Sequence, residues 1–279
     1  MKVTYLGTTV LLFDDGKDQI LFDAHLTRPS LLEFVFGKLQ TNEDVCDEIL
    51  EKHQMDRLKA IFISHTHHDH VMDMPYIANK TGADVYGSLS CMNVGRGGKV
   101  DEERLHEFNP KDTIQIGDFS IQVLPSIHSK PNIFNNDLGQ VIENPVIQPV
   151  KKKVYKEGGS FDFLVKHRGK SYLIRPSFNY IEGQLDDIHA DVLFLGIAGL
   201  SKSDESTKEE FFSQTIEKVA PSLVLPLHWD NFFTPLDSSV KGMPKIAENT
   251  SQSLFKLTKY CEEKNISFVL LLPRTHMYI

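Results

Sequence analysis

The sequence is poor in cysteine and has a deficit of positive charge, and each shortage excludes a class of protein. Cysteine occurs three times in 279 residues, at Cys46, Cys91 and Cys261, without a Cys-x-x-Cys pair. A sparse and odd set of cysteines is typical of reduced thiols in the cytoplasm rather than of a disulfide framework. We therefore predict a cytoplasmic protein whose cysteines are core or surface residues and not metal ligands.

Acidic residues outnumber Lys and Arg by 38 to 30, which gives a formal net charge of -8. A nucleic-acid-binding protein usually has a basic face, so we predict no nucleic-acid partner. No apolar run approaches the roughly 20 residues of a membrane-spanning helix. The chain also starts directly with a strand pattern rather than with a signal peptide, so we predict no membrane partner.

The composition is otherwise that of an ordinary globular protein, with 41% apolar and 24% charged residues. The length suits one large core, so we predict a single domain over residues 1–279. Alternating or continuous apolar runs predict strands, paired in hairpins or buried, at 3–12, 19–22, 60–64, 85–87, 113–116, 119–124, 161–166, 171–174, 192–197, 223–227 and 267–272. Helical periodicity predicts helices at 31–38, 42–53, 74–80, 208–219 and 251–264. This order fits two mixed sheets packed face to face with helices outside.

Residues 129–159 have no clear periodicity and are rich in proline, glycine and lysine. A connection of this length is unusual in a compact domain and is often a lid or a binding loop. We predict a loop insertion near the active site, and a plain surface excursion is an equal alternative. Lys151, Lys152 and Lys153 would be available to an anionic substrate if the loop folded over the site.

The apolar run that ends at Ser64 is followed by the sequence His65-Thr66-His67-His68-Asp69-His70. Four of these residues are candidate metal ligands: His65, His67, Asp69 and His70. Alternate side chains of a strand point the same way, so His65 and His67 can converge on one ion. Asp69 and His70 lie just beyond and can face a second ion. Imidazole nitrogen and carboxylate oxygen suit zinc and similar divalent metals. The alternative is a solvated histidine-rich loop, but this motif is internal, interrupted by an aspartate and preceded by a strand.

The His-x-His-x-Asp-His motif resembles that of the metallo-β-lactamase-fold hydrolases. The chain is most similar to their single-domain branch of metal-dependent hydrolases, which includes the ascorbate-6-phosphate lactonases. The opening strand at 4–9 and the hairpin into 20–23 match the same family. The resemblance implies an α+β fold, an αββα sandwich, and a metal-dependent hydrolase. It is nearly silent about the substrate.

The resemblance also implies site residues beyond the motif. It implies two ligand sets: His65, His67 and His128 for a first metal, and Asp69, His70 and His228 for a second. His128 and His228 each follow a predicted strand, where a sheet framework can fix a ligand's position. Asp23 is either the carboxylate that orients a ligating histidine or an ordinary turn residue. Arg175 either pairs with a substrate carboxylate or phosphate, or forms a salt bridge with a nearby aspartate.

One departure from the family is visible. Many members carry Gly-Asp-Thr or Gly-Asp-Ser where this chain has Arg175-Pro176-Ser177, and that aspartate bridges both metals. Proline offers no side-chain ligand, so another carboxylate replaces it or the second site is weaker. The candidate replacements are Asp186, Asp187, Asp191 and Asp230. We predict one or two divalent ions per chain, with zinc first and manganese or iron as alternatives.

A metal site of this kind supports hydrolysis of an ester, lactone, amide or phosphoester in a small substrate, an anionic one included. Asp69 would orient the attacking water and help protonate the leaving group. A thioester hydrolase or a persulfide dioxygenase of the same fold is an alternative, although both normally keep the bridging aspartate. A catalytically weak metal-dependent sensor or ligand-binding protein is the alternative that the missing aspartate favours.

Overall fold

Two seven-stranded mixed sheets form the centre of the computed structural model, which describes residues 1–131 and 136–279. In chain order, the first sheet contains β1 (Lys2–Gly7), β2 (Val10–Asp14), β3 (Gln19–Phe22), β4 (Leu58–Phe62), β5 (Asp84–Gly87), β6 (Leu105–Glu107) and β14 (Thr275–Tyr278). The second contains β7 (Thr113–Ile116), β8 (Phe119–Ser126), β9 (Ser160–His167), β10 (Lys170–Arg175), β11 (Val192–Gly196), β12 (Leu223–Leu227) and β13 (Ser267–Phe268). The spatial order of the strands is β14-β1-β2-β3-β4-β5-β6 in the first sheet and β13-β12-β11-β10-β9-β8-β7 in the second.

The sheets pack face to face because alternate strand residues point to opposite sides. Phe13 of β2 meets Tyr172 of β10, with ring centroids 5.5 Å apart, and Phe22 of β3 meets Phe163 of β9 at 5.3 Å. Leu12, which directly precedes Phe13 in β2, faces the outer layer instead. The helices are α1 (Leu31–Phe36), α2 (Glu43–Lys52), α3 (His68–Val71), α4 (Met74–Thr81), α5 (Leu89–Gly97), α6 (Glu205–Phe212) and α7 (Thr250–Glu263).

Helices cover the outer face of each sheet. Ile49 of α2 and Ile77 of α4 belong to the core layer outside the first sheet. Phe212 of α6 and Leu257 of α7 pack against the core of the second. The predicted αββα sandwich with two mixed sheets is therefore confirmed.

Several elements differ from the sequence prediction. The single strand predicted at 3–12 is divided into β1 and β2, and the short helix α3 was not predicted. The last predicted strand, at 267–272, ends at Phe268, and β14 instead adds to the first sheet beside β1. Helix α5 was not predicted, because Gly95 and Gly97 lower its intrinsic helix propensity. Burial stabilises it instead: six of its nine residues are buried. The three-residue strand β6 is too short to give a periodic signal.

The segment 129–159 packs against the region of the metal motif. Residues 132–135 of this segment lie outside the described residues. Ile142 accepts a hydrogen bond from Asn93 in α5, and Thr66 of the motif donates one to the Lys156 carbonyl, at 2.7 and 2.6 Å. A Cβ on Gly158 would come within 2.3 Å of Thr66 Oγ1, so this close approach requires glycine.

The cysteines and the helices bear on two expectations that came from the composition. Cys46, Cys91 and Cys261 are free and buried. In the described part of the chain, no helix combines the length and apolarity needed to cross a membrane.

Candidate metal centre

Three histidines from both sheets form the first candidate ligand set. His65 and His67 follow β4 of the first sheet, and His128 follows β8 of the second. Their ring centroids lie 4.7 to 5.0 Å apart, and one nitrogen from each ring falls within 4.8 Å of the others. The structure thus brings together the three residues that the family pattern implies, although His67 and His128 are 61 positions apart in the chain.

Asp69, His70 and His228 form the second candidate set, also within 4.8 Å of one another. Asp69 Oδ2 lies 3.3 Å from His228 Nε2 and 3.7 Å from His70 Nε2. The two sets adjoin, because the ring centroids of His65 and His70 are only 3.7 Å apart. A substrate atom placed between the sets would face both.

The electrostatics favour the metal-binding protonation states of His65, His128 and Asp69. Burial, followed by the neighbouring histidines, lowers the pKa of His65 well below its ordinary value and that of His128 to about 3. Burial alone would raise the pKa of Asp69, but His70, His68 and His228 hold it well below its usual range. Neutral imidazoles and an ionised carboxylate are the ligating forms.

Asp23 orients His70. Its Oδ2 lies 2.7 Å from His70 Nδ1 and also accepts hydrogen bonds from the hydroxyls of Thr9, at 2.6 Å, and Ser64, at 3.0 Å. Since Nδ1 faces this carboxylate, Nε2 of His70 is directed toward Asp69. This is the arrangement in which an outer carboxylate fixes a ligating imidazole, the first of the two roles considered for Asp23.

Asp137 stands in the same relation to His67 and was not predicted. Its Oδ1 lies 3.1 Å from His67 Nε2, and its side chain is 16% exposed. The remaining imidazole nitrogen, Nδ1, is then available for the first ligand set. Asp137 belongs to the segment 129–159, whose sequence lacks periodicity, so no pattern pointed to it.

The donor set fits a divalent metal ion. His65 Nδ1 lies 3.2 Å from Ser64 Oγ, while its Nε2 is buried with no hydrogen-bond partner among the described residues. A buried polar atom left without a partner is costly, and a metal ion would satisfy it. The mixture of imidazole and carboxylate ligands is that of zinc, manganese or iron sites.

Comparison with known proteins agrees with this site. A family model described as "Beta-lactamase superfamily domain" matches residues 19–229, which include β3 to β12 and all six candidate ligands. The chain belongs to this superfamily. The resemblance seen in the sequence is confirmed at that level, and the lactonase-like branch stays a prediction.

The superfamily relatives are distant. A UPF0173 metal-dependent hydrolase of Chloroflexus aurantiacus is 29% identical over 42% of this chain and 47% of its own length. Another, of Carboxydothermus hydrogenoformans, is 24% identical over 83% of this chain and 86% of its own. The chain spans about half the length of the first of these relatives. The metallo-β-lactamase-fold protein YhfI of Bacillus subtilis superposes with a TM-score of 0.62 at 14% identity, over 99% of both chains, and shows the fold alone.

The superfamily's bridging aspartate has no clear replacement among the acidic residues considered. Asp187 is exposed. The other three have partners elsewhere: Lys218 for Asp186 at 2.6 Å, Ser171 for Asp191 at 2.7 Å, and Arg28 for Asp230 at 2.9 Å. The described residues therefore leave the second set at three protein ligands.

Arg175 pairs with protein rather than facing outward. Its Nε lies 2.8 Å from Asp162 Oδ2, its side chain is 1% exposed, and it donates to the Asn179 carbonyl at 2.9 Å. A guanidinium held in this way is not available to a substrate carboxylate or phosphate. The substrate-binding role considered for Arg175 is therefore wrong, and the alternative, a salt bridge with a nearby aspartate, is what the structure contains.

The backbone is held in an unusual conformation at His228 and Asp23, whose φ angles are +58° and +55°. Residues other than glycine rarely adopt this left-handed backbone conformation, so surrounding contacts must hold them in it. At His228 these include a 2.5 Å hydrogen bond from its amide to the carbonyl of Thr8, which itself has φ +54°. Asp230 supports the same turn by accepting a bond from the Thr8 amide at 2.8 Å.

Proposed function

We propose that the protein is a metal-dependent hydrolase that acts on an ester, lactone, amide or phosphoester bond of a small molecule in the cytoplasm. The observation that carries this proposal is the pair of adjoining ligand sets at the strand ends. Superfamily membership and relatives named metal-dependent hydrolases support it.

The first set, His65, His67 and His128, would hold one ion, and Asp69, His70 and His228 would hold a second. A divalent ion, when bound, lowers the pKa of its water to about 7 and polarises a carbonyl or phosphoryl oxygen. Asp69 is ionised and buried, so it is suited both to hold an ion and to accept a hydrogen bond from the attacking water. Asp23 and Asp137 keep two of the imidazoles in fixed orientations.

We propose zinc as the metal, because imidazole with carboxylate is its usual ligand set in hydrolases, and manganese or iron would also fit. Without a bridging aspartate the second set lacks one anionic ligand. We therefore expect tight binding at the first set and weaker binding at the second.

The test combines metal analysis with turnover. Protein purified without chelator or affinity tag should contain zinc, manganese or iron, at one to two ions per chain. It should hydrolyse at least one member of a panel of aryl esters, lactones and phosphodiesters, and the His65→Ala variant should not. Protein that neither contains nor takes up metal contradicts the proposal. Metal-loaded protein that turns over nothing favours the alternative of a metal-dependent sensor.

A further inference from the structure

A cluster of rings adjoins the second ligand set and has no part in the hydrolytic chemistry described above. We call it the aromatic wall; it consists of His25, Phe34, His68, Phe232 and Phe233. The ring of Phe34 lies 4.9 Å from His68 and 5.1 Å from Phe233, and Phe232 lies 4.5 Å from Phe233. The wall is therefore continuous from helix α1 to the loop after β12.

The wall reaches from solvent to the metal ligands. The centroid of Phe232 is 5.5 Å from that of His228, and His68 directly precedes Asp69. Phe34, Phe232 and Phe233 are half-buried, so each also has an exposed edge. A molecule that lay against these rings would have one end beside the second ligand set.

The wall also contains polar atoms without partners. Both ring nitrogens of His25 and Nε2 of His68 are buried and have no hydrogen-bond partner among the described residues. The two rings are 5.8 Å apart. A neutral imidazole can donate or accept one hydrogen bond through each nitrogen, so this pair suits an uncharged polar group such as a carbonyl or hydroxyl oxygen. A buried polar atom without a hydrogen-bond partner is costly, and a bound molecule that supplied the partner would remove this cost.

The surroundings of the wall are apolar. On α1, the side chains of Leu31, Leu32 and Val35 are 47 to 72% exposed. Apolar surface concentrated beside a site is typical of a binding surface. The buried Arg28, which lies close to His25, does not favour an anion, since it is paired with Asp230. Lys152 also lies beside the wall, with Nζ 4.2 Å from the Phe34 ring centroid.

We propose that the aromatic wall is the specificity subsite of the hydrolase and receives the apolar aryl or acyl group of an uncharged ester, lactone or amide. This rests on the proposed function. The rings would stack on or enclose the apolar group, while His25 and His68 hydrogen-bond its polar oxygen. A phosphorylated substrate held by Lys152 is the competing outcome.

The test compares Phe34→Ala with Phe36→Ala in metal-loaded protein. Both substitutions remove a phenylalanine from α1, but the Phe36 ring is 75% exposed. With p-nitrophenyl butyrate, loss of one ring contact should raise KM about threefold to tenfold in Phe34→Ala, with kcat and metal content unchanged. Phe36→Ala should match the parent. Methyl benzoate, added as a competing ester, should inhibit Phe34→Ala more weakly than the parent by the same factor. It should inhibit Phe36→Ala as strongly as the parent.

Each outcome separates the two proposals. If metal-loaded protein hydrolyses neither p-nitrophenyl butyrate, nor p-nitrophenyl phosphate, nor any member of the panel of aryl esters, lactones and phosphodiesters, the proposed function fails. If the ester is hydrolysed but Phe34→Ala behaves as Phe36→Ala, the function stands and the subsite is overturned. Preferred hydrolysis of p-nitrophenyl phosphate, lost in Lys152→Met, would also overturn the subsite and assign the wall's edge to an anion.

Discussion

At the scale of single residues, the same side-chain type has different roles according to its neighbours. His65 has one ring nitrogen near Ser64 Oγ and the other buried and unpartnered, as a metal ligand requires. His68, three positions further on, lies among phenylalanine rings. His167 Nε2 lies 3.0 Å from Oδ2 of the buried Asp15 and forms a structural hydrogen bond with it. Contacts, rather than the count of histidines, define the candidate site.

Substitution of individual histidines tests this division. His65→Ala and His128→Ala each remove one of three ligands of the first set, so each should abolish tight binding of the first ion. His68→Ala should retain it, because its ring lies outside both sets. Isothermal titration with zinc measures the affinity of each variant. Equal loss of affinity in His68→Ala and His65→Ala would show that the ligand assignment is incorrect.

Asp137 offers a sharper test, because it acts through His67 and not directly on an ion. Removing an outer partner of a ligating histidine typically weakens metal binding about tenfold to a hundredfold. Asp137→Ala should do so, while Asp137→Asn, which keeps a hydrogen-bond acceptor, should recover part of the affinity. The visible spectrum of the cobalt-substituted protein should shift in Asp137→Ala, because the His67 ring is released. An unchanged spectrum and affinity would mean that Asp137 is only a loop contact.

These residues also show how far the sequence could lead. The motif at 65–70 can be recognised as a metal site from the sequence alone, because four candidate ligands within six positions are rarely needed for structure. His128 and His228 were predictable only through the family pattern, since a single histidine after a strand carries little information. Asp137 and the aromatic wall depend on contacts between segments distant in the chain, and no local pattern encodes those contacts.

At the scale of elements, the candidate site is built where strands end. β4, β8 and β12 all lead into ligand residues, and their strong apolar runs made them predictable within two or three residues. The elements that were missed are stabilised by tertiary contacts instead. β14 pairs antiparallel with β1 over four residues, so its strand conformation depends on a partner more than 260 positions away.

The turn after β12 depends on a buried ion pair. Asp230 lies 2.9 Å from Arg28, their side chains are 4% and 2% exposed, and Asp230 also accepts a bond from the Tyr5 hydroxyl at 2.5 Å. Removing one member of a buried pair typically costs about 3 to 5 kcal/mol, because the other charge stays buried. Asp230→Asn should lower the free energy of unfolding by an amount of this order. Asp47→Asn, which removes an exposed partner of Lys80, should change it little.

The effect of Asp230→Asn should also depend on pH. Burial raises the pKa of Asp230, but Arg28, the Tyr5 hydroxyl and the Thr8 amide outweigh it and lower the pKa below the ordinary value. A carboxylate whose pKa is lower in the folded state contributes its stability above the unfolded-state pKa of about 3.9 and loses it as pH falls further. The difference in urea unfolding between parent and variant should thus be constant near neutrality and shrink below about pH 4. A difference independent of pH would exclude the ionised carboxylate as its source.

At the scale of the whole molecule, the first ligand set joins the two sheets. His65 and His67 extend from the first sheet and His128 from the second, and the cores of the two sheets meet through apolar contacts such as Phe22 with Phe163. An ion held by all three would cross-link the layers in the folded protein alone. Metal binding should therefore be coupled to global stability and not only to local order.

Zinc should accordingly raise the free energy of unfolding of the entire chain. A ligand that binds only the folded state adds about 2.7 kcal/mol at a free concentration one hundred times its Kd. Trp229 is the sole tryptophan, is buried and follows the candidate ligand His228, so its fluorescence reports unfolding beside the site. Urea unfolding followed by this signal and by far-ultraviolet circular dichroism should shift together to higher urea on addition of zinc. His128→Ala, which removes the second sheet's contribution to the first set, should lose most of the shift. A shift in the fluorescence alone would indicate that the ion orders only the loop around His228 and does not hold the sheets together.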